Sequence, residues 1–265
     1  MSERDAIARV DEPVTVGALV ADLLDLGLAP GDTVIVHSSL GAIGWVCGGP
    51  QAVVAALQSV LTPAGTLLMP TFTGQYSDPA DWEHPPVPDD WVSRIRACRP
   101  PFDPAVTPSR GMGAIPEYFR THPDVHRSGH PLYSIAVWGA DAAAIATDHA
   151  LDRGLGEDSP LAEVYDRDGF VLLLGVDHAV NSSLHLAEAR ADVPLEPRNL
   201  EAPLLVDGDP RLVTFIECDW RTTGFREVGG AVGPDAVGTV GAASATLVSQ
   251  RELVDAATEA LPQYR

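Results

Sequence analysis

A histidine and a glutamate one helical turn apart, His185 and Glu188, are the residues of this chain best suited to moving a proton. They follow an apolar run that ends at Gly175, which predicts a buried strand and a turn. Asn181 can cap a helix that begins at about Ser182, and residues three apart on a helix share a face. An imidazole there can act as a general base near neutral pH. A structural histidine bonded to a loop carbonyl is the alternative, and the spacing leaves both open.

A second acidic pair, Glu217 and Asp219, follows the predicted strand 212–216. Acids that interrupt an apolar run at a strand end are expected to face a crevice, because burying a charge in the core is costly. A histidine base needs a carboxylate to fix its tautomer, so either Glu188 or this pair could serve His185. A metal site built from His178, His185 and Glu188 matches no zinc spacing, and no metal is expected.

Two polar turns follow the first two predicted strands, at residues 33–36 and 65–69. The first turn is His37-Ser-Ser-Leu-Gly and the second is Pro70-Thr-Phe-Thr. In open α/β sheets, ligands bind beyond the carboxyl ends of the strands, and hydroxyls with free backbone N–H groups suit phosphate-rich or amide-rich ligands. Ordinary turns with capping hydroxyls are the alternative. No Walker-type or dinucleotide-type glycine loop is present, so a nucleoside triphosphate or a nicotinamide cofactor is not expected.

Strands and helices alternate along the chain, which predicts an α/β fold with a largely parallel central sheet in one domain. Further strands are expected at 133–138, 170–174, 204–206 and 212–216, and helices at 14–28, 50–61, 113–121, 141–147, 159–166 and 249–261. Residues 74–109 are predicted to form a long irregular loop. A loop of this length inside a compact domain is usually functional or disordered, and Trp82, Trp91 and Phe102 argue against simple disorder.

The composition restricts the partners of the chain. Its formal net charge is −20 and all 17 basic residues are arginine, with no basic patch, so nucleic acid is not an expected partner. An acidic surface serves solubility or attracts a cationic substrate, and the total charge does not separate the two. Three widely spaced cysteines, no membrane-length apolar run and no secretory signal favour a cytoplasmic protein.

In their order and spacing, these motifs resemble the aminoglycoside 3-N-acetyltransferases, a family of antibiotic N-acetyltransferases distinct from the GNAT fold. The resemblance extends over about residues 14–260 and is carried by the two polar turns and by further segments. Those segments are Phe102-Asp-Pro, Thr107-Pro, Arg127-Ser-Gly-His-Pro-Leu-Tyr-Ser, Ser159-Pro, Leu172-Leu-Leu-Gly-Val and Asn181-Ser-Ser-Leu-His-Leu-Ala-Glu. It implies a three-layer αβα sandwich, with residues 1–265 as one domain and 74–109 as a long loop on the substrate side.

The resemblance also implies an activity, which is acetyl transfer from acetyl-CoA to the 3-amino group of a 2-deoxystreptamine aminoglycoside, with resistance as the result. His185 is then the catalytic base, supported by Glu217, and transfer is direct, without an acyl-enzyme or a metal. A polycationic substrate gives the negative charge a specific use. The protein is expected to be a monomer or a homodimer. Three other functions stay open, namely acetylation of another small amine, non-catalytic binding of CoA or polyamines, and metal-dependent hydrolysis.

The residues expected to bind the two substrates fall into two groups. Substrate contacts are expected from Asp219, Glu188, Asp78 and Tyr76. CoA contacts are expected from His37, Ser38, Ser39, Leu40, Thr71, Phe72, Thr73, Arg110, Gly111, Met112, Gly113 and Ser183. The family usually has threonine at the position of Ser182, and serine keeps the hydroxyl.

Overall fold

The computed structural model describes residues 2–264 and contains a seven-stranded sheet with helices on both faces. The strands are β1 (Thr33–Ser38), β2 (Thr66–Pro70), β3 (His126–Arg127), β4 (Ile135–Gly139), β5 (Phe170–Leu174), β6 (Pro197–Val206), β7 (Asp209–Cys218), β8 (Ala236–Val240) and β9 (Ala243–Ser249). The helices are α1 (Glu3–Ile7), α2 (Val16–Asp25), α3 (Leu40–Ile43), α4 (Gly49–Leu61), α5 (Asp89–Cys98), α6 (Ala114–Phe119), α7 (Ala142–Thr147), α8 (Pro160–Asp166), α9 (Ser183–Arg190), α10 (Phe225–Ala231) and α11 (Gln250–Ala260).

The strand order of the main sheet is β3-β4-β2-β1-β5-β9-β8. At its centre, β1 is parallel to both β2 and β5, whereas β4 and β9 are antiparallel to the strands they join. Because β3 and β8 reverse direction again, β1, β2, β3, β5 and β8 all run the same way. The predicted α/β fold with a largely parallel central sheet is confirmed. The carboxyl ends of β1, β2 and β5 meet at one edge, where an open α/β sheet binds ligands.

Two apolar cores lie on opposite faces of the sheet, because successive side chains of a strand point to opposite sides. On β1, Val34 and Val36 pack into the core that contains α2, α4 and α6, while Ile35 packs among α7, α8, α9 and α11. All three side chains are fully buried, and each such burial stabilises the fold by roughly 1.5–3 kcal/mol. The three-layer sandwich follows from this alternation.

The ends of the helices carry residue types that favour helix initiation. Thr15 caps α2 by accepting the N–H of Ala18, and Ser249 caps α11 by accepting the N–H of Glu252. Pro50 lies in the first turn of α4, where its missing N–H costs nothing. These caps fix the helices that flank the three parallel strands.

Residues 74–109 are more ordered than the predicted irregular loop. They contain α5 and two short 3-10 turns, at Gly74–Tyr76 and Pro79–Asp81. No residue of α5 is buried, so the core imposes no apolar pattern from which this helix could be predicted. Tyr76 and Phe102 pack edge to face, with ring centroids 5.8 Å apart, in a small core shared with the β6–β7 hairpin.

Arg127 fixes the carboxyl-terminal end of this insertion to the sheet. Its guanidinium donates hydrogen bonds to the carbonyl oxygens of Thr107 and Thr71 and to the hydroxyl of Ser134. It also lies 5.3 Å over the ring of Phe102. Burial lowers the pKa of Arg127 to about 10, so the guanidinium remains a cation at neutral pH.

The β6–β7 hairpin is separate from the main sheet and pairs through all ten residues of each strand, from Pro197↔Cys218 to Val206↔Asp209. The predicted strands at 204–206 and 212–216 are therefore parts of longer strands. Across residues 2–264, none of the helices combines the length and the apolar character needed to cross a bilayer.

Candidate active site

A cleft of about 500 Å³ opens beyond the carboxyl ends of β1, β2 and β5. Its polar side chains come from the end of β1, the loop that leads into α9, the first turn of α9 and Thr222. Four aromatic side chains complete its walls, those of Phe72, Tyr133, Trp220 and Phe225. A concave site with apolar walls and a few convergent polar groups is the usual form of a small-molecule site.

His185 reaches the cleft from the first turn of α9, and Glu188 lies directly behind it. His185 Nδ1 is 2.8 Å from Glu188 Oε2. Glu188 is fully buried, and its Oε1 accepts the backbone N–H of Arg221 at 3.0 Å. The start of the helix is held by Asn181, whose Oδ1 accepts the N–H of Ser183 at 3.1 Å. The spacing of three residues thus brings the two side chains into contact on one helix face, as predicted.

The hydrogen bond to Glu188 selects one tautomer of His185. An ionised carboxylate only accepts hydrogen bonds, so Nδ1 carries the hydrogen and Nε2 keeps its lone pair. Within residues 2–264, Nε2 has no hydrogen-bond partner, and His185 lines the cleft. The rings of Phe225 and Trp220 lie against the imidazole at centroid distances of 4.9 and 5.7 Å. A fixed tautomer with an available Nε2 and a buried carboxylate behind it is suited to general-base catalysis.

Glu217, the carboxylate expected to support His185, does not contact it. Glu217 is fully buried, and its Oε1 accepts the N–H of Gly154 at 2.7 Å and lies 3.1 Å from His130 Nε2. Its Oε2 accepts the indole N–H of Trp220 at 2.6 Å. The inward face of β7 directs Glu217 to these groups and not to α9. The expected direct contact is thus corrected to an indirect one, through the ring of Trp220.

His130 connects this buried network to the wall of the cleft. Its Nδ1 accepts the backbone N–H groups of Leu132 and Tyr133 at 3.1 and 3.0 Å. Nε2 therefore carries the hydrogen and donates it toward Glu217. The ring of Tyr133 stacks on His130 at 5.3 Å and lines the cleft. Burial raises the pKa of Tyr133 above its ordinary value, so its phenol stays protonated.

Two other histidines lie in the same region, because His37 is close to both His178 and His185. Burial, together with the charges of His178 and His185, lowers the pKa of His37 to about 3, so His37 stays neutral. Its Nε2 accepts the N–H of Ser182 at 3.3 Å and is not available as a base. Burial also lowers the pKa of His178, against the opposing effect of Asp177. Because His37 Nε2 is used as an acceptor, its other nitrogen carries the hydrogen, whereas His185 presents to the cleft a ring nitrogen with an available lone pair.

Five of the residues predicted to bind CoA line the cleft, namely His37, Ser38, Phe72, Gly111 and Met112. The hydroxyl oxygen of Ser38 is buried and lacks a hydrogen-bond partner among the described residues. An unsatisfied buried hydroxyl is unfavourable, and a bound ligand can supply the missing partner.

Three predicted CoA residues have hydroxyls that the protein itself uses. The hydroxyls of Thr71 and Thr73 are buried and donate to backbone carbonyls of residues 134 and 131. Ser183 is fully buried, and its Oγ accepts a hydrogen bond from Gln250 Nε2 at 2.9 Å. These side chains hold the strand ends and α9 in place, and none of them lines the cleft.

The remaining predicted CoA residues also lie outside the lining of the cleft. Ser39 and Gly113 directly precede the short helices α3 and α6, and Leu40 lines a neighbouring cavity. Arg110 places its guanidinium 5.1 Å over the ring of Trp82. Their expected positions on the CoA site follow from the resemblance alone.

The residues predicted to contact the substrate on the insertion and at the end of β7 are bonded within the protein. Asp78 forms a two-pronged ion pair with Arg96, with a shortest distance of 2.7 Å. The hydroxyl of Tyr76 donates to a backbone carbonyl of the insertion at 3.0 Å. Asp219 pairs with Arg221 at 2.8 Å. Glu188, the fourth, is the buried partner of His185.

Several cleft residues were not predicted from the sequence. Asn181 and Ser182 line the cleft immediately before α9, and Tyr133, Trp220 and Phe225 form its aromatic walls. The position of Trp220, directly after two acids that end an apolar strand, was a usable signal. Nothing in the sequence around Phe225 indicates that α10 approaches the site.

The chain matches the family described as aminoglycoside 3-N-acetyltransferase over residues 35–262. The prophage-derived aminoglycoside N(3')-acetyltransferase-like protein YokD of Bacillus subtilis is 44% identical over 248 residues, which cover 92% of this chain and 90% of YokD. The crystal structure of YokD has a TM-score of 0.92, with 96% of each chain covered.

Two further solved structures contain ligands. One is a binary complex of AAC-IIIb with CoASH, which is 32% identical, has a TM-score of 0.84 and covers 95% of this chain and 97% of its own. The other is AAC-VIa bound to sisomicin, which is 30% identical, has a TM-score of 0.85 and covers 95% and 98%. Agreement in sequence and fold over nearly the whole length shows that the chain belongs to the aminoglycoside 3-N-acetyltransferase family of acyltransferases.

Proposed function

We propose that this protein uses acetyl-CoA to acetylate the 3-amino group of 2-deoxystreptamine aminoglycosides and thereby confers resistance to them. The observation that carries the proposal is His185, whose Nδ1 is bonded to the buried Glu188 while the ring lines a cleft. AAC-IIIb with CoASH and AAC-VIa with sisomicin support the choice of the two substrates. A formal charge of −20 favours encounter with a polycation.

His185 performs the proton transfer that the reaction requires. The free amine of the acceptor attacks the thioester carbonyl and must lose a proton as the C–N bond forms. Nε2 of His185 accepts that proton, and Glu188 stabilises the resulting imidazolium through a charge-assisted hydrogen bond. When the C–S bond breaks, the imidazolium gives the proton to the departing CoA thiolate. The histidine returns to its starting form and no acyl-enzyme is made.

We assign the binding of acetyl-CoA to the end of β1 and to the segment after the insertion. Ser38 offers a buried hydroxyl that has no hydrogen-bond partner within residues 2–264, and Gly111 and Met112 line the same cleft. The cleft volume of about 500 Å³ is within the usual range for small-molecule sites.

We assign Glu217 a positioning role that acts through Trp220. The Glu217 carboxylate holds the indole N–H at 2.6 Å, and the indole ring lies 5.7 Å from the imidazole of His185. Glu217 also fixes Gly154, the neighbour of the cleft residue Leu155. The buried carboxylate thereby orders two parts of the wall that surrounds the base.

A thiol-release assay with acetyl-CoA and a panel of aminoglycosides tests the proposal. Turnover of several aminoglycosides, lost in His185→Ala while CoA binding persists, is the expected result. His126→Ala serves as a matched control, because His126 is an exposed residue of the edge strand β3. Near-normal turnover by His185→Ala would exclude it as the base.

The same assay separates the other functions. Turnover with other small amines but with no aminoglycoside would change the acceptor, and CoA binding without any turnover would indicate a non-catalytic binder. Activity that disappears in a chelator would indicate a metal-dependent enzyme.

A further inference from the structure

A chain of ion pairs borders the cleft wall formed by Tyr133 and Trp220. Arg198 of β6 pairs with Asp81 of the insertion and lies 3.9 Å from Asp219, which in turn pairs with Arg221 at 2.8 Å. These four side chains alternate in sign, so their formal charges cancel, although the whole chain carries −20. Two carboxylates that could attract a cationic acceptor are therefore already bonded to cations of the protein.

Arg198 is the central member of this chain of ion pairs. It stands opposite Glu217 in the register of the hairpin, so both side chains belong to the same face. It also lies near Tyr133 of the cleft wall. The hydrogen bond to Asp81 raises the pKa of Arg198 above its ordinary value, and the charge of Asp219 adds to this effect. Arg198 is thus a permanent cation that connects the insertion, the hairpin and the cleft wall.

Stability alone is a weak explanation for these pairs. The side chains of Arg198, Asp81 and Asp219 are 42%, 47% and 39% exposed. Ion pairs at such exposure contribute little to folding, because water screens them and holding two long side chains costs entropy. For the same reason the partners exchange readily, and an ammonium group of a ligand competes for the same carboxylate oxygens.

We propose that Arg198 is a specificity-determining residue. It is an internal cation that lies between Asp81 and Asp219, in the position that an ammonium group of the acceptor would otherwise occupy. The inference rests on the proposed function, since it concerns which aminoglycosides and related amines bind best. Acceptors with few ammonium groups toward this wall are favoured over the most highly charged ones, because the latter must displace Arg198 to gain a carboxylate.

The test compares Arg198→Gln with the wild type by calorimetric titration of a highly charged aminoglycoside and by steady-state turnover. Arg198→Gln frees two carboxylates from their cation, so we expect the Kd and the KM for the aminoglycoside to fall about fivefold. This is the order of effect of one exposed ion pair. The gain should shrink at about 0.5 M salt, where exposed charges are screened. Arg211→Gln is the matched control, because it removes the same charge from an exposed position elsewhere on the hairpin.

Two further variants separate this role from a loss of structure. Arg198→Lys keeps the cation and should bind like the wild type, and Asp81→Asn combined with Arg198→Gln should lose most of the gain. An unchanged or higher Kd in Arg198→Gln, with the fold intact by circular dichroism, would overturn the inference. A wild type that binds aminoglycosides without acetylating them would instead refute the proposed function, and the binding comparison would still decide the role of Arg198.

Discussion

The replacement of Glu188 by glutamine tests the proposed base most directly, because it changes the hydrogen bonding of His185 without changing its surroundings in size. In the wild type, Oε2 meets Nδ1 of His185 and Oε1 accepts the N–H of Arg221. A glutamine has one acceptor and one donor group, so it cannot serve both contacts.

Each orientation of the new amide has a cost that the structure defines. If its oxygen faces His185, its NH₂ group opposes the Arg221 N–H, and a buried unsatisfied donor costs about 1–3 kcal/mol. If its NH₂ group faces His185, Nδ1 becomes the acceptor and Nε2 carries the hydrogen, so the imidazole is no longer a base toward the cleft. In both cases the imidazolium loses a charge-assisted hydrogen bond worth about 1.5–3 kcal/mol.

The second orientation satisfies both neighbours and is therefore the resting one, so the reactive tautomer is reached only at the cost of the unsatisfied donor. With the lost charge-assisted hydrogen bond, the barrier rises by about 2.5–6 kcal/mol, which lowers kcat about 10²-fold to 10⁴-fold. We expect this loss in the thiol-release assay at saturating substrates, with CoA affinity nearly unchanged. Glu157→Gln is a suitable control, because Glu157 also pairs with a residue of α9, Arg190, but from the solvent side. A kcat for Glu188→Gln within about threefold of the wild type would refute the tautomer argument.

Three other substitutions or conditions test separate parts of the site. Glu217→Gln should lower the free energy of unfolding by about 2–5 kcal/mol in urea titrations, because one oxygen that accepts buried N–H groups becomes a donor; a loss below about 1 kcal/mol would show that the network tolerates the change. Ser38→Ala should raise the KM for acetyl-CoA about tenfold without reducing thermal stability, since the hydroxyl has no hydrogen-bond partner among the described residues. An unchanged KM with a lower melting temperature would make Ser38 structural. Burial lowers the pKa of His37 and His149 from an ordinary 6.5 to about 3. Between these two pH values the histidines of the unfolded chain bind protons, whereas those of the folded protein stay neutral. The free energy of unfolding should therefore fall as the pH drops from 6.5 toward 3, by up to about 1.4 kcal/mol per pH unit for each histidine; a flat profile would contradict their burial as neutral groups.

The central strands could be predicted because their apolar runs are continuous and end in polar turns. The strand expected at 170–174 has the bounds of β5, and β1 and β2 differ from their predicted ranges by one or two residues. β9 was not expected, since its sequence is rich in Ala, Ser and Thr and has no strong apolar run. It forms because it pairs antiparallel with β5 along its length, from Phe170↔Ser249 to Leu174↔Ala245. Such pairing depends on distant parts of the chain and leaves little trace in a local pattern.

In the site, too, contacts between residues close in the sequence could be predicted, whereas contacts between distant residues could not. The contact of His185 with Glu188 follows from a spacing of three residues on one helix. The partners of Glu217 could not be predicted in this way, because Gly154 and His130 are 63 and 87 residues away in the sequence. Ser183 illustrates the limit of motif matching, because its place in the motif suggested a ligand contact and the fold bonds it to Gln250.

The insertion is fixed to the sheet at both ends, but its helix α5 makes no contribution to the core. Arg127 bonds the carbonyl of Thr107 to the end of β2, and Thr73 is bonded to the backbone before β4, so both ends of the insertion are fixed to the sheet. Between these anchors, α5 contributes no buried residue. Mutations in this helix can accumulate without moving the base or its carboxylate. Under the proposed function, the range of acceptors can therefore change by exchange of this peripheral segment, while the proposed base His185 and its carboxylate Glu188 on α9 stay in place.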